Sequence, residues 1–187
     1  DYLAFLLRCA GVDPCHYRGD PLSRRLHACL RSLKSRSIAE ARARLEQDPQ
    51  QITMAVSAIL IGVTEFFRDP EVFAYLDEVV LPKLARDHQP LRIWSAGCAD
   101  GAELYSVGML LAQRGLLGRR VLLGTDCRSD AVSKAERGWF DRAQVDRIAP
   151  SLRETFFVPE EKGWIVCRAL REAIEWAQGD ILADPPA

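Results

Sequence analysis

Two glycines and two acids between residues 97 and 126 have the types and spacing of a small-molecule binding site. Gly97 and Gly101 lie in a turn of small residues, where glycine lets the backbone approach a ligand closely. Asp126 ends a later apolar run, a position where an acid can accept hydrogen bonds from ribose hydroxyls. Glu103, just after the turn, either complements a helix dipole or binds a ligand ammonium group. Asp126 could equally cap a helix or turn, so the pattern indicates a nucleoside site and leaves a structural role open.

Alternating strands and helices are expected to position these residues. The expected elements are a strand at 91–95, a turn at 96–101, a helix at about 103–114, a strand at 121–125, a helix at 129–138, and a strand pair around 164–166 and 173–177. This alternation is the signature of a parallel sheet with crossover helices.

The spacing of the glycines favours one class of ligand. Gly97-x3-Gly101 lacks the GxGxxG of dinucleotide sites, so we expect no cradle for a diphosphate. An adenosine ligand without phosphates suits the turn better, and S-adenosylmethionine has that structure.

The six cysteines lie far apart with no CxxC pair, which is typical of buried thiols in a reducing cytosol. We therefore expect no metal site and a cytoplasmic protein.

The first seventy residues have helical patterns. Ser37 and Glu40 form a capping-box pattern. Two further helix starts have aspartate followed by proline, at Asp48-Pro49 and Asp69-Pro70. The helix after Asp48 is expected to place Ile52, Val56, Ile59 and Leu60 on one face, and the next helix to bury Val72, Phe73, Leu76, Val79 and Val80.

Charge is divided unevenly along the chain. Residues 1–47 hold nine Lys and Arg against five Asp and Glu, although the whole chain has a net charge of −1. The basic residues of this part include Arg24, Arg25, Arg31, Lys34, Arg36, Arg42 and Arg44. They form either a docking face for an acidic partner or a solvated helix surface. The longest apolar stretch, 54–63, is about half of the roughly 20 residues of a membrane span, so no membrane insertion is expected.

Several ordered motifs resemble the CheR-type methyltransferases, which add a methyl group to receptor glutamates in bacterial chemotaxis. The matching segments are the T-x-F-F-R-D pattern at 64–69, the W-S-A-G-C turn at 94–106, the T-D pair at 125–126, a K-A-R-x-G-x-Y-like segment at 135–140, and 179–182 in place of the family's N-L pair. The resemblance extends over almost the whole chain. It implies S-adenosylmethionine as cofactor and S-adenosylhomocysteine as product.

The resemblance also assigns cofactor residues. It implies that the cofactor is bound by Thr64, Arg68, Ala96, Gly97, Gly101, Glu103, Asp126, Asp180 and Ile181. By this correspondence Glu103 contacts the methionine end, Asp126 holds the ribose, and Asp180 and Ile181 lie along the adenine.

Thr64 and Arg68 are the catalytic candidates that the resemblance places at the active site. A glutamate carboxylate is already ionised at neutral pH, so its attack on a sulfonium methyl needs alignment and desolvation more than a general base. The guanidinium fork of Arg68 can hold a carboxylate in one plane. The alternative is that Arg68 only forms a salt bridge near a helix start.

The sequence departs from the family pattern in three regions. In the turn, Asp100, Ala102 and Leu104 replace threonine, glutamate and proline, and Asp180 replaces asparagine near the adenine. The family's fourth strand and its C-R-N-x-x-I-Y-like segment are not found, so we expect the chain to be a fragment that is inactive alone. Strand 91–95 is then expected at an open sheet edge, which a second copy or a partner subunit could cover.

These observations predict an α/β Rossmann-like methyltransferase sheet, incomplete, after an all-helical domain. The expected divisions are a helical domain at 1–68, a connecting helix and linker at 69–90, and an S-adenosylmethionine-binding domain at 91–187. The predicted function is methyl transfer to glutamates of a chemoreceptor-like protein, docked on the basic helices at 22–44. The alternative is a non-catalytic sensor or assembly module that binds the cofactor or its product. A nucleic-acid substrate is disfavoured by the overall acidity.

Overall fold

The amino-terminal part of the protein is helical. The computed structural model describes residues 2–9, 13–16, 23–60, 64–87, 90–118 and 120–181. The helices of this part are α1 (Tyr2–Cys9), α2 (Leu26–Ser32), α3 (Ile38–Gln47) and α4 (Ile52–Ile59), with 3-10 turns at Pro14–His16 and Pro49–Gln51. The N-cap predicted at Ser37 is confirmed, because its Oγ accepts from the Glu40 N–H at 3.2 Å. The Glu40 carboxylate accepts from Arg36 N–H instead of Ser37 N–H, so the capping box is incomplete.

These four helices pack around a core of their own. Its buried residues are Tyr2, Leu6, Leu7, Cys29, Leu33, Ala41, Leu45, Ala55, Val56, Ile59 and Leu60. The predicted face of α4 is confirmed, with Ile52 partly buried against the same core. None of the helices in the described ranges is long and apolar enough to cross a membrane.

A second core begins at Phe66 and includes the next helical segment. This segment consists of α5 (Pro70–Tyr75), a π-helical stretch (Leu76–Val80) and α6 (Leu81–Asp87). Phe73 and Leu76 pack on the second core as predicted, but Val72 and Val79 are 62% and 45% exposed, so their predicted burial is wrong. Val79 lies in the π-helical stretch, which changes the spacing of the inward face, whereas Val72 precedes that stretch in α5. The domain bounds 68/69 and 90/91 stay predictions.

A parallel three-stranded sheet confirms the predicted α/β class. Its strands are β1 (Leu91–Ala96), β2 (Arg120–Asp126) and β6 (Glu175–Gln178), in the order β1-β2-β6. Helix α7 (Ala102–Gln113) lies between β1 and β2 in sequence, and α8 (Ser129–Arg137) follows β2. The register aligns Ser95 with Gly124 and Thr125 with Ala177, so the carboxyl ends of the three strands meet at one edge.

A small antiparallel sheet lies between α8 and β6 in sequence. Its elements are β3 (Trp139–Asp141), α9 (Arg142–Val145), α10 (Pro150–Phe156), β4 (Phe157–Pro159) and β5 (Gly163–Val166), followed by α11 (Arg168–Arg171), with the strand order β3-β5-β4. The strands predicted around 164–166 and 173–177 exist as β5 and β6, but they do not pair with each other. Helix α11 lies between them in sequence, and β6 pairs with β2 in the parallel sheet.

Helix α7 is at the centre of the second core. All residues from Leu104 to Leu111 are buried, and the Tyr105 hydroxyl donates to the Ala135 carbonyl of α8 at 2.7 Å. The Trp176 ring of β6 packs in the space that Gly101 and Gly124 leave by having no side chain. Both glycines are therefore needed for packing of the indole.

Gly124→Ala is expected to destabilise the protein by about 1–3 kcal/mol, because its methyl group would overlap the Trp176 ring. Gly118→Ala is the matched control, since nothing lies within 4 Å of the added Cβ. Urea denaturation of both variants measures the difference in free energy of unfolding. Equal stability of the two variants would show that the indole is not packed as described.

Candidate active site

The glycine turn is fixed to the end of β2 by three backbone donors. Gly97 N–H and Cys98 N–H donate to the Thr125 carbonyl at 2.8 and 2.9 Å. Ala99 N–H donates to Asp126 Oδ2 at 2.9 Å. The turn therefore cannot move without breaking contacts at the strand end that carries the predicted ribose ligand.

The two predicted glycines have different environments. Both adopt positive φ angles, +74° at Gly97 and +88° at Gly101, which favour glycine. A Cβ at Gly97 would meet nothing within 4 Å, whereas a Cβ at Gly101 would lie 2.7 Å from the Trp176 ring. Gly97 thus presents an open backbone face to a ligand, and Gly101 serves packing.

Asp100 connects the turn to the small sheet. Its Oδ1 accepts from Ala102 N–H and its Oδ2 from Gln144 Nε2, both at 3.2 Å. Gln144 belongs to α9, where its own Oε1 accepts from Asp141 N–H at 3.2 Å. Burial raises the pKa of the Asp100 carboxyl, although these donors act in the opposite direction. Asp100, which replaces the threonine of the family pattern, therefore holds the turn in place through these hydrogen bonds.

Two phenylalanines anchor the segment that precedes Arg68. Phe66 makes edge contacts with Phe140 at 4.7 Å and Phe157 at 5.4 Å between ring centroids. Phe67 packs edge-on against Phe73 at 5.3 Å. Both rings are partly buried and pack against the second core.

The backbone at Arg68 is held in an uncommon conformation. Phe67 and Asp69 have φ angles of 51° and 59°, a region that residues other than glycine rarely adopt. Phe67 N–H donates to Ser106 Oγ at 3.1 Å, and this hydroxyl donates to the Ala102 carbonyl at 2.8 Å. Buried Ser106 therefore ties the segment to α7 and fixes the direction in which the Arg68 side chain leaves the core.

Arg68 and Glu103 line one cavity of about 280 Å³ beside β1. Its polar wall consists of Glu65, Arg68, Asp69, Ser95 and Glu103, and its apolar wall includes Val72, Phe73, Leu76, Ile93 and Trp94. The Ser95 hydroxyl donates to Glu103 Oε1 at 2.9 Å and orients the carboxylate. Arg68 Nε lies 3.8 Å from Asp69 Oδ2, and its side chain is 55% exposed. A guanidinium and a carboxylate thus share a hollow that can receive one charged group of each sign.

Asp126 lies on the other side of the turn, outside this cavity. It is 6% exposed, and besides the Ala99 N–H its carboxylate accepts from the backbone and side chain of Arg128. Arg128 lines a second cavity of about 130 Å³, whose walls are Cys9, Ile52, Thr53, Val56, Cys127, Arg128, Ser129, Asp130 and Gln178. The structure therefore brings Arg68 and Glu103 together and places Asp126 under the Arg128 side chain.

The remaining predicted residues surround these two groups. Ala96 ends β1 opposite Thr125. Asp180 and Ile181 follow β6, next to the strand end that carries Asp126, and Gly179 N–H donates to the Asp126 carbonyl at 3.1 Å. Thr64 is half-buried at the start of the anchored segment and is not among the described residues that line the larger cavity.

Sequence reasoning missed four residues that shape the site, namely Ser95, Ser106, Arg128 and Gln144. A serine inside an apolar strand just before a glycine turn is a usable signal for Ser95. The positions of the other three depend on contacts between distant segments or on a side-chain conformation, which spacing does not encode. No cluster of His, Cys, Asp or Glu suited to a metal ion occurs within the described ranges.

The residues present fit S-adenosylmethionine at its amino-acid end. The Glu103 carboxylate can bind an ammonium group, and the open face of Gly97 lets a ligand approach the backbone. Asp126 suits a ribose in type and position, but the Arg128 side chain covers its carboxylate. A parallel sheet with a glycine turn and an acid at adjoining strand ends defines an α/β protein built to bind a nucleoside.

The chain belongs to the CheR methyltransferase family, because the family described as "CheR methyltransferase, SAM binding domain" matches residues 62–187. S-adenosylmethionine is therefore its cofactor. A chemotaxis protein methyltransferase of Listeria monocytogenes is 28% identical over 98% of this chain and 72% of its own length. Chemotaxis protein methyltransferases 2 and 1 of Pseudomonas aeruginosa are 28% and 30% identical over 95% and 97% of this chain. The chain spans 65% and 70% of those two relatives.

Ser106→Ala is expected to destabilise the protein by about 1–3 kcal/mol, because it leaves the Phe67 N–H without its acceptor in a buried position. Thr155→Ala is the matched control, since its hydroxyl also donates to the carbonyl four residues earlier but is exposed. Thermal or urea unfolding measures both changes. A loss at Ser106 no larger than that at Thr155 contradicts the described link between Phe67 and α7.

Asp100→Asn is expected to change the pH dependence of stability. Because burial raises the pKa of this carboxyl, the folded state holds its proton to higher pH than the unfolded chain does. The wild type therefore loses stability relative to the variant as pH rises above about 4, and the difference becomes constant above the raised pKa. Urea unfolding of both proteins between pH 3 and 7 measures this trend. A constant or falling advantage of the variant contradicts the burial of Asp100.

Proposed function

We propose that the protein transfers the methyl group of S-adenosylmethionine to glutamate side chains of a chemoreceptor-like protein. The observation that carries the proposal is the single cavity lined by Arg68 and Glu103 at the carboxyl end of β1. Of its four charged side chains, Arg68 and Glu103 match the two partners of such a reaction, a substrate carboxylate and the ammonium group of the cofactor. The names of the relatives, which are chemotaxis protein methyltransferases, support the same class of substrate.

Arg68 is the residue proposed to orient the substrate. Its guanidinium can hold a glutamate carboxylate through two parallel hydrogen bonds, which fixes the plane of the attacking oxygen. The carboxylate is ionised at neutral pH, so the residues need to align it and exclude water rather than remove a proton. The apolar wall of Val72, Phe73 and Leu76 supports that exclusion. Bound S-adenosylmethionine supplies the electrophilic methyl group.

The remaining cofactor contacts are proposals on the same basis. Glu103, oriented by Ser95, is suited to bind the ammonium of the methionine part, and Asp126 the ribose. Asp180 and Ile181, beyond β6, are adjacent to Asp126 and suit the adenine. Thr64 is proposed to contribute to the active site together with Arg68.

We further propose that the sheet belongs to a Rossmann-like methyltransferase fold preceded by a helical domain, with the three strands arranged as one half of that sheet.

The basic helices at 22–44 are the proposed docking face for an acidic receptor surface. The structure describes residues 23–44 of this segment. Two of the arginines are engaged within α3, because Arg42 pairs with Glu46 and Arg44 with Glu40, each at 3.0 Å. The docking face is therefore expected to depend mainly on Arg24, Arg25, Arg31, Lys34 and Arg36. No disulfide joins the cysteines within the described residues, which supports the proposed cytoplasmic location.

Arg68→Lys is expected to lower the rate of methyl transfer by about 100-fold, because an ammonium group cannot hold both carboxylate oxygens in one plane. The assay follows label from methyl-labelled S-adenosylmethionine into receptor cytoplasmic fragments. Release of labelled methanol in alkali identifies a glutamate methyl ester. Affinity for S-adenosylhomocysteine is measured in parallel and is expected to change by less than about threefold, since Arg68 is assigned to the substrate.

The matched control is Arg168→Lys, which changes an 82% exposed arginine paired with Glu172. Its rate is expected to equal that of the wild type. Cofactor binding without any transfer of label to the receptor fragments would contradict the proposed reaction. Label that appears in RNA or in a small molecule, and not in protein, would contradict the proposed substrate class.

A further inference from the structure

We propose that Arg128 is an internal competitor of the cofactor ribose for Asp126 and thereby sets cofactor affinity. The inference rests on the proposed role of Asp126 as the ribose ligand. It concerns a residue that neither the glycine turn nor the T-x-F-F-R-D pattern includes. The basis is a count of the hydrogen-bond positions on a single buried carboxylate.

The Asp126 carboxylate has no free acceptor position in the structure. An ionised carboxylate offers about four lone-pair positions, two on each oxygen. Oδ1 accepts from Arg128 N–H at 3.0 Å and from Arg128 Nε at 3.1 Å, and the Cys127 thiol, a weak donor, lies 3.9 Å from it. Oδ2 accepts from Ala99 N–H at 2.9 Å and from an Arg128 terminal nitrogen at 3.4 Å. A ribose cannot bond to this carboxylate while the Arg128 side chain stays in place.

The four nitrogen donors divide into two kinds. The backbone donors of Ala99 and Arg128 belong to the turn and to the start of α8, and they supply one bond to each oxygen. The Arg128 side chain also supplies one bond to each oxygen. Movement of the side chain alone therefore frees one position on Oδ1 and one on Oδ2. Two adjacent ribose hydroxyls supply two donors, which matches this pair of positions.

When a ribose replaces the Arg128 side chain on Asp126, the number of hydrogen bonds to the carboxylate stays nearly the same. This near-equality limits the affinity for the nucleoside. Both the Asp126 and the Arg128 side chains are almost fully buried, at 7% and 9% exposure. Two charge-assisted bonds are lost for two bonds gained, so the diol contributes little net free energy. Re-formation of the Arg128 pair favours departure of the nucleoside product in the same proportion.

A second position for the Arg128 guanidinium is available close by. Arg128 and Asp130 both line the smaller cavity, between α4 and the start of α8. The Asp130 carboxylate accepts from Ser57 Oγ at 2.8 Å and lies 3.4 Å from Lys134 Nζ. A displaced guanidinium thus stays beside a carboxylate, with Lys134 as the cationic group on the same helix. The move does not leave a buried cation unpaired, which would be costly.

The test measures affinities by calorimetry for wild type and for Arg128→Met, which keeps the apolar stem and removes the side-chain donors. The probes are S-adenosylhomocysteine and its 2′,3′-dideoxy analogue, which cannot bond to Asp126. We expect Arg128→Met to bind S-adenosylhomocysteine at least about tenfold more tightly, and the analogue equally well within about twofold. Arg153→Met, at a partly buried arginine paired with Asp146 outside the site, is the control and is expected to change neither affinity.

A measurement on the wild type avoids the risk that Arg128→Met is too unstable to study. The Nε–H resonance of Arg128, followed by NMR, is expected to exchange slowly with water and to exchange at least about tenfold faster when S-adenosylhomocysteine is saturating. The dideoxy analogue is expected to leave the exchange rate unchanged.

Three outcomes bear differently on the two proposals. Equal or weaker binding of S-adenosylhomocysteine by Arg128→Met, or an unchanged Nε–H, would overturn the competition while the proposed function stands. Binding of S-adenosylhomocysteine by Arg128→Met and not by the wild type would support the competition between Arg128 and the ribose. If neither protein binds the nucleoside and both are folded, the proposed function fails and this inference fails with it.

Discussion

The attachment of the glycine turn to the end of β2 is the constraint on which the rest of the site depends. Three consecutive N–H groups of the turn donate to the Thr125 carbonyl and the Asp126 carboxylate. This contact joins the two strand ends at which a nucleoside is expected to bind, and it sets where α7 begins. The direction of Glu103, in the first turn of α7, follows from it. A change in the turn is therefore expected to alter both ends of the cofactor site together.

The position of Arg68 depends on a strained backbone segment that core packing holds in place. Two residues with positive φ angles flank Arg68, and such conformations persist only where surrounding contacts enforce them. The edge contacts of Phe66 and Phe67 and the bond from Phe67 N–H to Ser106 supply that enforcement. The T-x-F-F-R-D pattern thus has a physical explanation, because the phenylalanines anchor in the core and leave the arginine projecting into the cavity.

The sequence predicted correctly the elements that depend on local residue patterns. It did not predict the features that depend on contacts between distant segments. The strand, turn and helix around residue 97, the second strand and the parallel arrangement follow from apolar runs and small residues, and they are confirmed. Of the small antiparallel sheet only β5 was predicted, because β3 and β4, with three residues each, are too short to show alternation. The burial of Val79 was predicted wrongly, since the π-helical stretch does not appear in sequence spacing, and the burial of Val72 was predicted wrongly within the α-helix before it. The cover that Arg128 forms over Asp126 depends on one side-chain conformation, which residue types alone do not determine.

The central claim is that the amino-acid end of the cofactor and the reacting carboxylate meet in the cavity of Arg68 and Glu103. A crystal structure of the protein with S-adenosylhomocysteine tests it most directly. The account predicts the ammonium group on the Glu103 carboxylate, the sulfur facing the Arg68 guanidinium and the turn at Gly97 against the ligand. A nucleoside bound with its amino-acid end away from both side chains, for example in the smaller cavity beside Asp130, would contradict the account.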